Sequence, residues 1–156
     1  MHVEIRKADI SNAHILTNFD AKIFQNSDAF DDEDWLDLEC FFLLVDGNIV
    51  GTTAVRHNSG VWEAGEYPFV PKCLYIVSTG ILPEYRGKGW GLFLKAWQIA
   101  YAREYSFKKI VTNCRISNTR IIHLNRKFGF HDIRSIADYY DDPDEVGLVM
   151  ELELKR

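Results

Sequence analysis

A chain of 156 residues, 47% hydrophobic and 26% charged, has the size and composition of one folded domain, which excludes a disordered, fibrous or low-complexity polymer. Eighteen basic against 23 acidic residues give a net charge of −5, the wrong sign for sequence-independent binding to nucleic-acid phosphates. The longest charge-free run, Cys73 to Pro83, is about half of the ~20 apolar residues a membrane-spanning helix needs, and Met1 to Lys7 carries charges where a secretory signal needs an apolar stretch. A single domain over residues 1–156 is expected, cytoplasmic, with neither nucleic acid nor membrane as partner. Cys40, Cys73 and Cys114 lie far apart without paired spacing, so buried thiols are expected rather than a disulfide framework or a zinc site.

Val3 to Arg6 alternates apolar and charged residues as a short strand does, and Ser11 or Asn12 offers an N-cap to a helix running to about Gln25. Seven acids and no base follow (Asp28, Asp31, Asp32, Glu33, Asp34, Asp37 and Glu39), with Trp35, Leu36 and Leu38 among them, which suits a short helix. Cys40–Val45 and Ile49–Val55 are β-rich runs on either side of Asp46-Gly47-Asn48, and the Asp-Gly pair predicts a tight antiparallel hairpin. His57 to Pro71, with Gly60, Gly65 and Pro68 between aromatics, reads as a loop or irregular hairpin tip. Leu74 to Ile81 reads as a buried strand ended by Pro83.

From Gly89 to about Tyr105, the residues Trp90, Phe93, Leu94, Trp97 and Tyr101 recur at helical spacing opposite Lys95, Gln98 and Arg103, predicting an amphipathic helix. Lys109–Arg115 is a strand, and a helix from Ser117 or Asn118 to Phe128 is closed by Gly129. His131–Tyr139 and Val146–Lys155 are strands about an Asp-Asp-Pro-Asp turn. The order implies an α/β architecture with a mixed sheet flanked by helices.

Chemistry concentrates in Thr79-Gly80-Ile81-Leu82-Pro83-Glu84-Tyr85-Arg86-Gly87-Lys88-Gly89-Trp90-Gly91, which joins a strand end to a glycine-rich turn and opens a helix. Glycines let backbone N–H groups face a ligand unobstructed, and the helix N-terminus adds partial positive charge, so the arrangement suits a phosphate. Arg86 and Lys88 add to it. The alternative is a plain strand-to-helix turn with two solvated cations. A Walker-type loop is excluded because six residues separate Gly80 from Gly87 and Lys88 is followed by Gly89. A dinucleotide fingerprint is excluded because Leu92 stands where its third glycine belongs.

Arg86-Gly87-Lys88-Gly89-Trp90-Gly91 resembles the acyl-CoA loop of the GNAT acetyltransferase superfamily, Arg/Gln-x-x-Gly-x-Gly/Ala. Asn118 followed by a helix ending in Lys127-Phe128-Gly129-Phe130 is similar to a second element of that family. The resemblance implies the GNAT fold, a central, mostly antiparallel sheet flanked by helices and split between its fourth and fifth strands, with the pantetheine arm of acetyl-CoA lying in the split. It implies cofactor contacts from Gly80, Ile81, Arg86, Gly87, Lys88, Gly89, Trp90, Gly91 and Asn118. The Ile81 N–H would stabilise the developing oxyanion. Acetyl would pass directly from acetyl-CoA, without a metal, to the primary amine of a small molecule or peptide, in a monomer or homodimer. A non-catalytic acyl-CoA-binding regulatory module is the alternative.

The sequence departs from the family twice. Where many members carry a Tyr that protonates the leaving thiolate, this chain has Asn125, an amide that cannot act as a general acid but can orient water or hold the sulfur; a purely structural hydrogen bond is the alternative. Where some members place a Glu base, it has Tyr75. Glu63, Glu66 and His57 are candidates for the missing base, and His123 is expected to be a surface or packing residue. Acids between Asp28 and Glu39, and between Asp138 and Glu145, suggest a negative rim suited to a cationic acceptor, or simply solvated faces.

Overall fold

The structure, a computed structural model, describes residues 1–24 and 26–155, apart from the side chain of Ile10. Strands β1 (Val3–Lys7), β2 (Glu39–Val45), β3 (Asn48–Ser59), β4 (Phe69–Ile81), β5 (Lys109–Arg115), β6 (His131–Tyr140) and β7 (Glu145–Glu153) form one sheet in the order β1-β2-β3-β4-β5-β7-β6. The helices are α1 (Ala13–Ile23), α2 (Trp90–Glu104) and α3 (Thr119–Lys127). The β4–β5 pair is parallel, while β1–β2, β2–β3, β5–β7 and β6–β7 are antiparallel, so the expected mixed, mostly antiparallel α/β sheet is present. The expected end of the first helix, near Gln25, lies outside the described residues.

By contacts the chain divides into one unit of Met1–Arg56 with Ser78–Leu94 and another of His57–Val77 with Lys95–Arg156. In the first unit, β2 is buried on both faces, which is why its sequence is a continuous apolar run. Cys40, Phe42 and Leu44 pack with Leu16, Trp35 and Ala54, whereas Leu43 packs with Val50 and Leu94. Asp46 (φ 50°) and Gly47 (φ 82°) both adopt the left-handed region, as the Asp-Gly hairpin requires.

The start of α1 differs from expectation. Ile10–Asn12 forms a 3-10 turn and neither Ser11 nor Asn12 caps the helix through its side chain. Asp9 accepts from the Ser11 N–H (2.8 Å) and Asn12 Oδ1 accepts from the Asp9 N–H (3.0 Å), so the polar side chains close the preceding turn instead. The acidic segment holds a 3-10 turn, Asp32–Trp35, with Asp31 and Asp34 in a reciprocal capping box.

The β3–β4 hairpin, whose tip belongs to the second unit, is longer than the sequence suggests. Its strands run to Ser59 and from Phe69, and a tight turn through Ala64 (φ 55°) and Gly65 (φ 84°) lies inside a Glu63–Glu66 bridge. The inward stripe of α2 also departs from the expected one. Lys95 and Gln98, read as solvent-facing, are buried, while Leu92 and Phe93 are exposed. Long aliphatic stems let such residues line an interior that a two-letter hydrophobic pattern assigns to apolar neighbours. Asn118 caps α3 by accepting from the Ile121 N–H (3.3 Å). The helix closes at Gly129 (φ 97°) with Phe130 N–H bonded to the Asn125 carbonyl and Gly129 N–H to that of Arg126.

Candidate active site

The glycine-rich segment belongs to the first unit. Beyond the end of β4 the Leu82 N–H donates to the Val50 carbonyl (3.0 Å), and Pro83–Tyr85 makes a 3-10 turn with Pro at its opening position. The Arg86 N–H closes that turn on Pro83 (3.2 Å), and its Nε donates to the Ile81 carbonyl (3.1 Å), so Arg86 braces the strand end. Gly87 (φ 75°) and Gly89 (φ 88°) then lie in the left-handed region, and a Cβ at either would meet nothing within 4 Å. The space a side chain would fill is open.

The Gly89 carbonyl accepts the Phe93 N–H (3.0 Å), starting α2, whose first-turn N–H groups at Trp90, Gly91 and Leu92 have no acceptor within the helix. Lys88 Nζ lies 5.6 Å from the Tyr85 ring centre. The partly buried Trp90 packs on the Leu43–Val50–Leu94 core. Gly80 is crowded for a different reason. A Cβ there would stand 2.6 Å from Cδ1 of Ile23, whose side chain lies directly over it. Unobstructed glycines, a helix start and the Lys88 and Arg86 cations are what an anionic, extended group would require here.

Asn118 and Asn125 belong to the second unit. Asn125 is wholly buried, its Nδ2 donating to the Met150 sulfur (3.6 Å) and its Oδ1 without a hydrogen-bond partner among the described residues. His123 is exposed, the first of the two places expected for it. The three candidate bases are dispersed. His57 bonds Tyr101 (2.8 Å) and packs edge-on against Phe107, Glu63 pairs with Arg134 (2.9 Å), and Glu66 is exposed beside the tip turn.

Tyr75 is 2% exposed and donates its hydroxyl proton to Asn113 Oδ1 (2.5 Å). Asn113 Nδ2 donates to the Tyr140 hydroxyl (2.7 Å), and the Arg115 guanidinium stacks 4.9 Å from the Tyr140 ring centre. Arg115 donates to the carbonyls of Asp141 (2.5 Å) and Pro143 (2.7 Å) and pairs with Glu145 (3.1 Å). The neighbouring Tyr139 hydroxyl donates to the Trp62 carbonyl (2.6 Å). Burial pushes both the Tyr75 and the Tyr139 phenols upward, while the Ser117 contacts and Arg115 hold Glu145 below the usual carboxylate range. The sequence reading missed Asn113, Arg115, Tyr139 and Tyr140; only the adjacent tyrosines before an acidic turn hinted at them.

A bulge sets this geometry. Ile136 faces Gly147 and Tyr140 faces Glu145, so β6 carries two extra residues, with Asp138 (φ 53°) turning the strand. Tyr139 lies so close over Gly147 that a Cβ there would stand 2.9 Å from it. Among the described residues, no group of three or more His, Cys, Asp or Glu could hold a metal, and no helix is long and apolar enough to cross a membrane.

Comparison with known proteins gives a consistent answer. The acetyltransferase (GNAT) family matches residues 10–130. A Sulfurisphaera tokodaii protein named N-alpha-acetyltransferase is 30% identical over 110 residues, a match covering 70% of this chain and 66%, just under two thirds, of that protein's length. The solved alanine N-acetyltransferase of a ribosomal protein from Escherichia coli superposes with a TM-score of 0.82 at 15% identity, covering 99% of this chain and 96% of its own. A Salmonella typhimurium structure described with its cofactor acetyl-CoA gives 0.72 at 18% identity, covering 99% and 95%. At such identities the structural likeness speaks to the fold.

Proposed function

We propose that this chain, which belongs to the acetyltransferase (GNAT) family of acyltransferases, transfers an acetyl group from acetyl-CoA directly to the primary amine of a small molecule or peptide. One observation carries the reading: the left-handed Gly87 and Gly89 leave open space in front of backbone amides at the start of α2. Acetyl-CoA, when bound, supplies an electrophilic thioester carbon and a thiolate leaving group.

The amides of Gly87, Lys88, Gly89, Trp90 and Gly91 hold the pyrophosphate, with charge from Lys88 and Arg86. The Arg86 amide is committed to its turn, so its contribution comes from the side chain. Backbone groups of Gly80 and Ile81 orient the pantetheine arm, and the Ile81 N–H meets the developing oxyanion. Asn118 is a further cofactor contact on the family resemblance. Asn125, enclosed against Met150, supports the α3 end and does not donate a proton. The relative named N-alpha-acetyltransferase favours the α-amine of a peptide as acceptor, and the acidic segments favour a cationic one. The three free, buried cysteines suit a reducing, cytoplasmic setting.

Calorimetry with acetyl-CoA, followed by thiol release with a panel of amines and peptides, tests the reading. Binding and turnover are expected. No acetyl-CoA binding would sink it, and binding without turnover would leave an acyl-CoA-binding module.

A further inference from the structure

We infer that Arg86 is a positioning residue: its Nε, donating to the Ile81 carbonyl, fixes the end of β4 so that the Ile81 N–H stays aimed at the developing oxyanion, and it does so as a hydrogen-bond donor rather than as a charge. The inference rests on the acetyl-transfer reading and deepens it.

Every group involved lies in the first unit. A trans peptide sends its C=O and its N–H to opposite edges of an extended strand. The Gly80 oxygen faces β3, where a Cβ on Gly51 would stand 3.0 Å from it, and the Leu82 N–H donates to the Val50 carbonyl on β3 (3.0 Å). The other half of each of those two peptides belongs to Ile81: the N–H of the first and the C=O of the second. Both therefore point to the opposite edge of β4. There Arg86 Nε takes the carbonyl (3.1 Å), so the Ile81–Leu82 peptide is held at both ends, by Val50 and by Arg86.

The intervening chain is folded to make this contact. Pro83 opens the 3-10 turn, the Tyr85 N–H bonds the Leu82 carbonyl (2.9 Å), and the Arg86 N–H closes on Pro83, which returns position 86 to the strand end it left. Gly87, in the left-handed region, starts the open loop immediately afterwards. Arg86 thus stands at the joint between the N–H that meets the oxyanion and the amides that meet the pyrophosphate. Its two Nη groups make no hydrogen bond or ion pair with the described residues, so one guanidinium serves the strand through Nε and keeps its remaining donors for a phosphate.

Arg86 is exposed, where water screens its charge, so what acts on a neutral carbonyl is the directed N–H. Deleting an oxyanion donor costs about 10²–10³ in rate, and a displacement of about 1 Å costs up to about 10². The Ile81 N–H survives loss of the Arg86 side chain, and Val50 still holds the neighbouring peptide, so the expected cost is smaller, about tenfold. Side-chain length separates donor from charge. Glutamine carries its Nε2 the same number of bonds from the backbone as the Nε of arginine, without a charge. Lysine keeps the charge but puts a methylene at that place, with its ammonium one bond beyond as a strongly hydrated point.

The test compares the full chain with its Arg86→Ala, Arg86→Lys and Arg86→Gln variants. Without cofactor, the nuclear magnetic resonance of the Leu82 amide, whose peptide carries the Ile81 carbonyl, should move in Arg86→Ala and Arg86→Lys and stay near its wild-type position in Arg86→Gln. An unmoved Leu82 amide in Arg86→Ala would overturn the proposal without reference to turnover. Acetyl-CoA affinity by calorimetry should follow charge, near wild type in Arg86→Lys and about threefold weaker in Arg86→Gln and Arg86→Ala. The rate of acetyl transfer in single turnovers, at saturating acetyl-CoA and amine, should follow the donor instead: about tenfold lower in Arg86→Ala and Arg86→Lys, and within about twofold of wild type in Arg86→Gln. Arg86→Gln as slow as Arg86→Ala, Arg86→Lys as fast as wild type, or rates that track acetyl-CoA affinity across all three would overturn this inference alone. Failure of the wild type to bind acetyl-CoA would instead overturn the acetyl-transfer reading, and this inference with it.

Discussion

The loop from Ile81 to Gly91 and the cluster around Asn113 are built from opposite halves of the residue. The loop is exposed and offers backbone: two left-handed glycines and a helix start define it, and most of its side chains could change without altering the amides. The cluster is largely enclosed and offers side chains, with the Tyr75 and Tyr139 hydroxyls and the Asn113 amide each directed by a neighbour. A backbone site tolerates substitution except where a Cβ enters it, whereas a side-chain network fails at any member. The two regions should therefore answer mutation differently, and each prediction below presses on that contrast.

Gly89→Val should have the largest effect. At φ 88° a β-branched residue costs about 1–2 kcal/mol locally, and its side chain occupies the open space before the amides. Acetyl-CoA affinity is expected to fall at least about a hundredfold by calorimetry, with only a small change in unfolding midpoint. Near-native affinity would return the loop to an ordinary turn.

Lys95 presses on the other side of the contrast, the cost of side-chain burial. It lies 5.1 Å from the Phe130 ring centre, with burial pulling its ammonium down to about 8. The unfolded chain holds that proton up to about 10.5, so it binds more protons than the fold between pH 8 and 10.5, and stability rises with pH across that window. Below pH 8 the full penalty of about 3 kcal/mol applies, partly offset by the ring contact. Lys95→Met should stabilise the protein by about 2 kcal/mol at pH 7 and flatten the rise between pH 8 and 10.5, measured by denaturant unfolding. A loss of stability at pH 7 would mean the lysine is better satisfied than its surroundings indicate.

Lys95 also marks where sequence reading stops. Features whose chemistry is local were legible: Asp46-Gly47 as a left-handed hairpin turn, Asn118 as a cap, Gly129 as a helix stop, and the glycine spacing from Gly87 to Gly91. Each depends on a backbone angle or on a neighbour three residues away. The Asn113 network depends on partners 38 and 27 residues distant, so no window of sequence contains it. The inward face of α2 failed differently. Periodicity gave the helix correctly, but Lys95 and Gln98 were counted as water-facing because residue type stood in for environment. Ser11 and Asn12 failed because two adjacent turn-forming side chains offered two closures, and the chain used them on the turn before the helix.

Gly147→Ala is the counterpart of Gly89→Val inside the cluster. Its Cβ would stand 2.9 Å from Tyr139 Cβ and Cγ, atoms next to the backbone that cannot swing away as a side-chain tip can. Overpacking of this kind costs about 1–3 kcal/mol, and relief requires Tyr139 to leave its bond with Trp62. Unfolding should show that loss, acceptor KM should rise, and acetyl-CoA affinity should hold. Loss of acetyl-CoA affinity instead would erase the distinction between the two regions.

The smallest effect concerns the acidic segment, which has one part of each kind. Asp31 and Asp34 cap the 3-10 turn, and Asp32 accepts from the Thr17 hydroxyl, which accepts in turn from the Trp35 indole N–H. These acids are therefore not a free rim, and removing the capping pair would confuse stability with charge. Asp32→Asn with Glu33→Gln removes two charges while an oxygen remains at position 32 for Thr17. If the segment attracts a cationic acceptor, the effect is long-range and screened within ~8 Å at physiological ionic strength. The double variant should raise KM for a basic peptide less than about threefold at low salt, leave kcat unchanged, and match wild type at high salt. A shift that persists at high salt would point to direct contact, and no shift at low salt would leave these acids with a structural role alone.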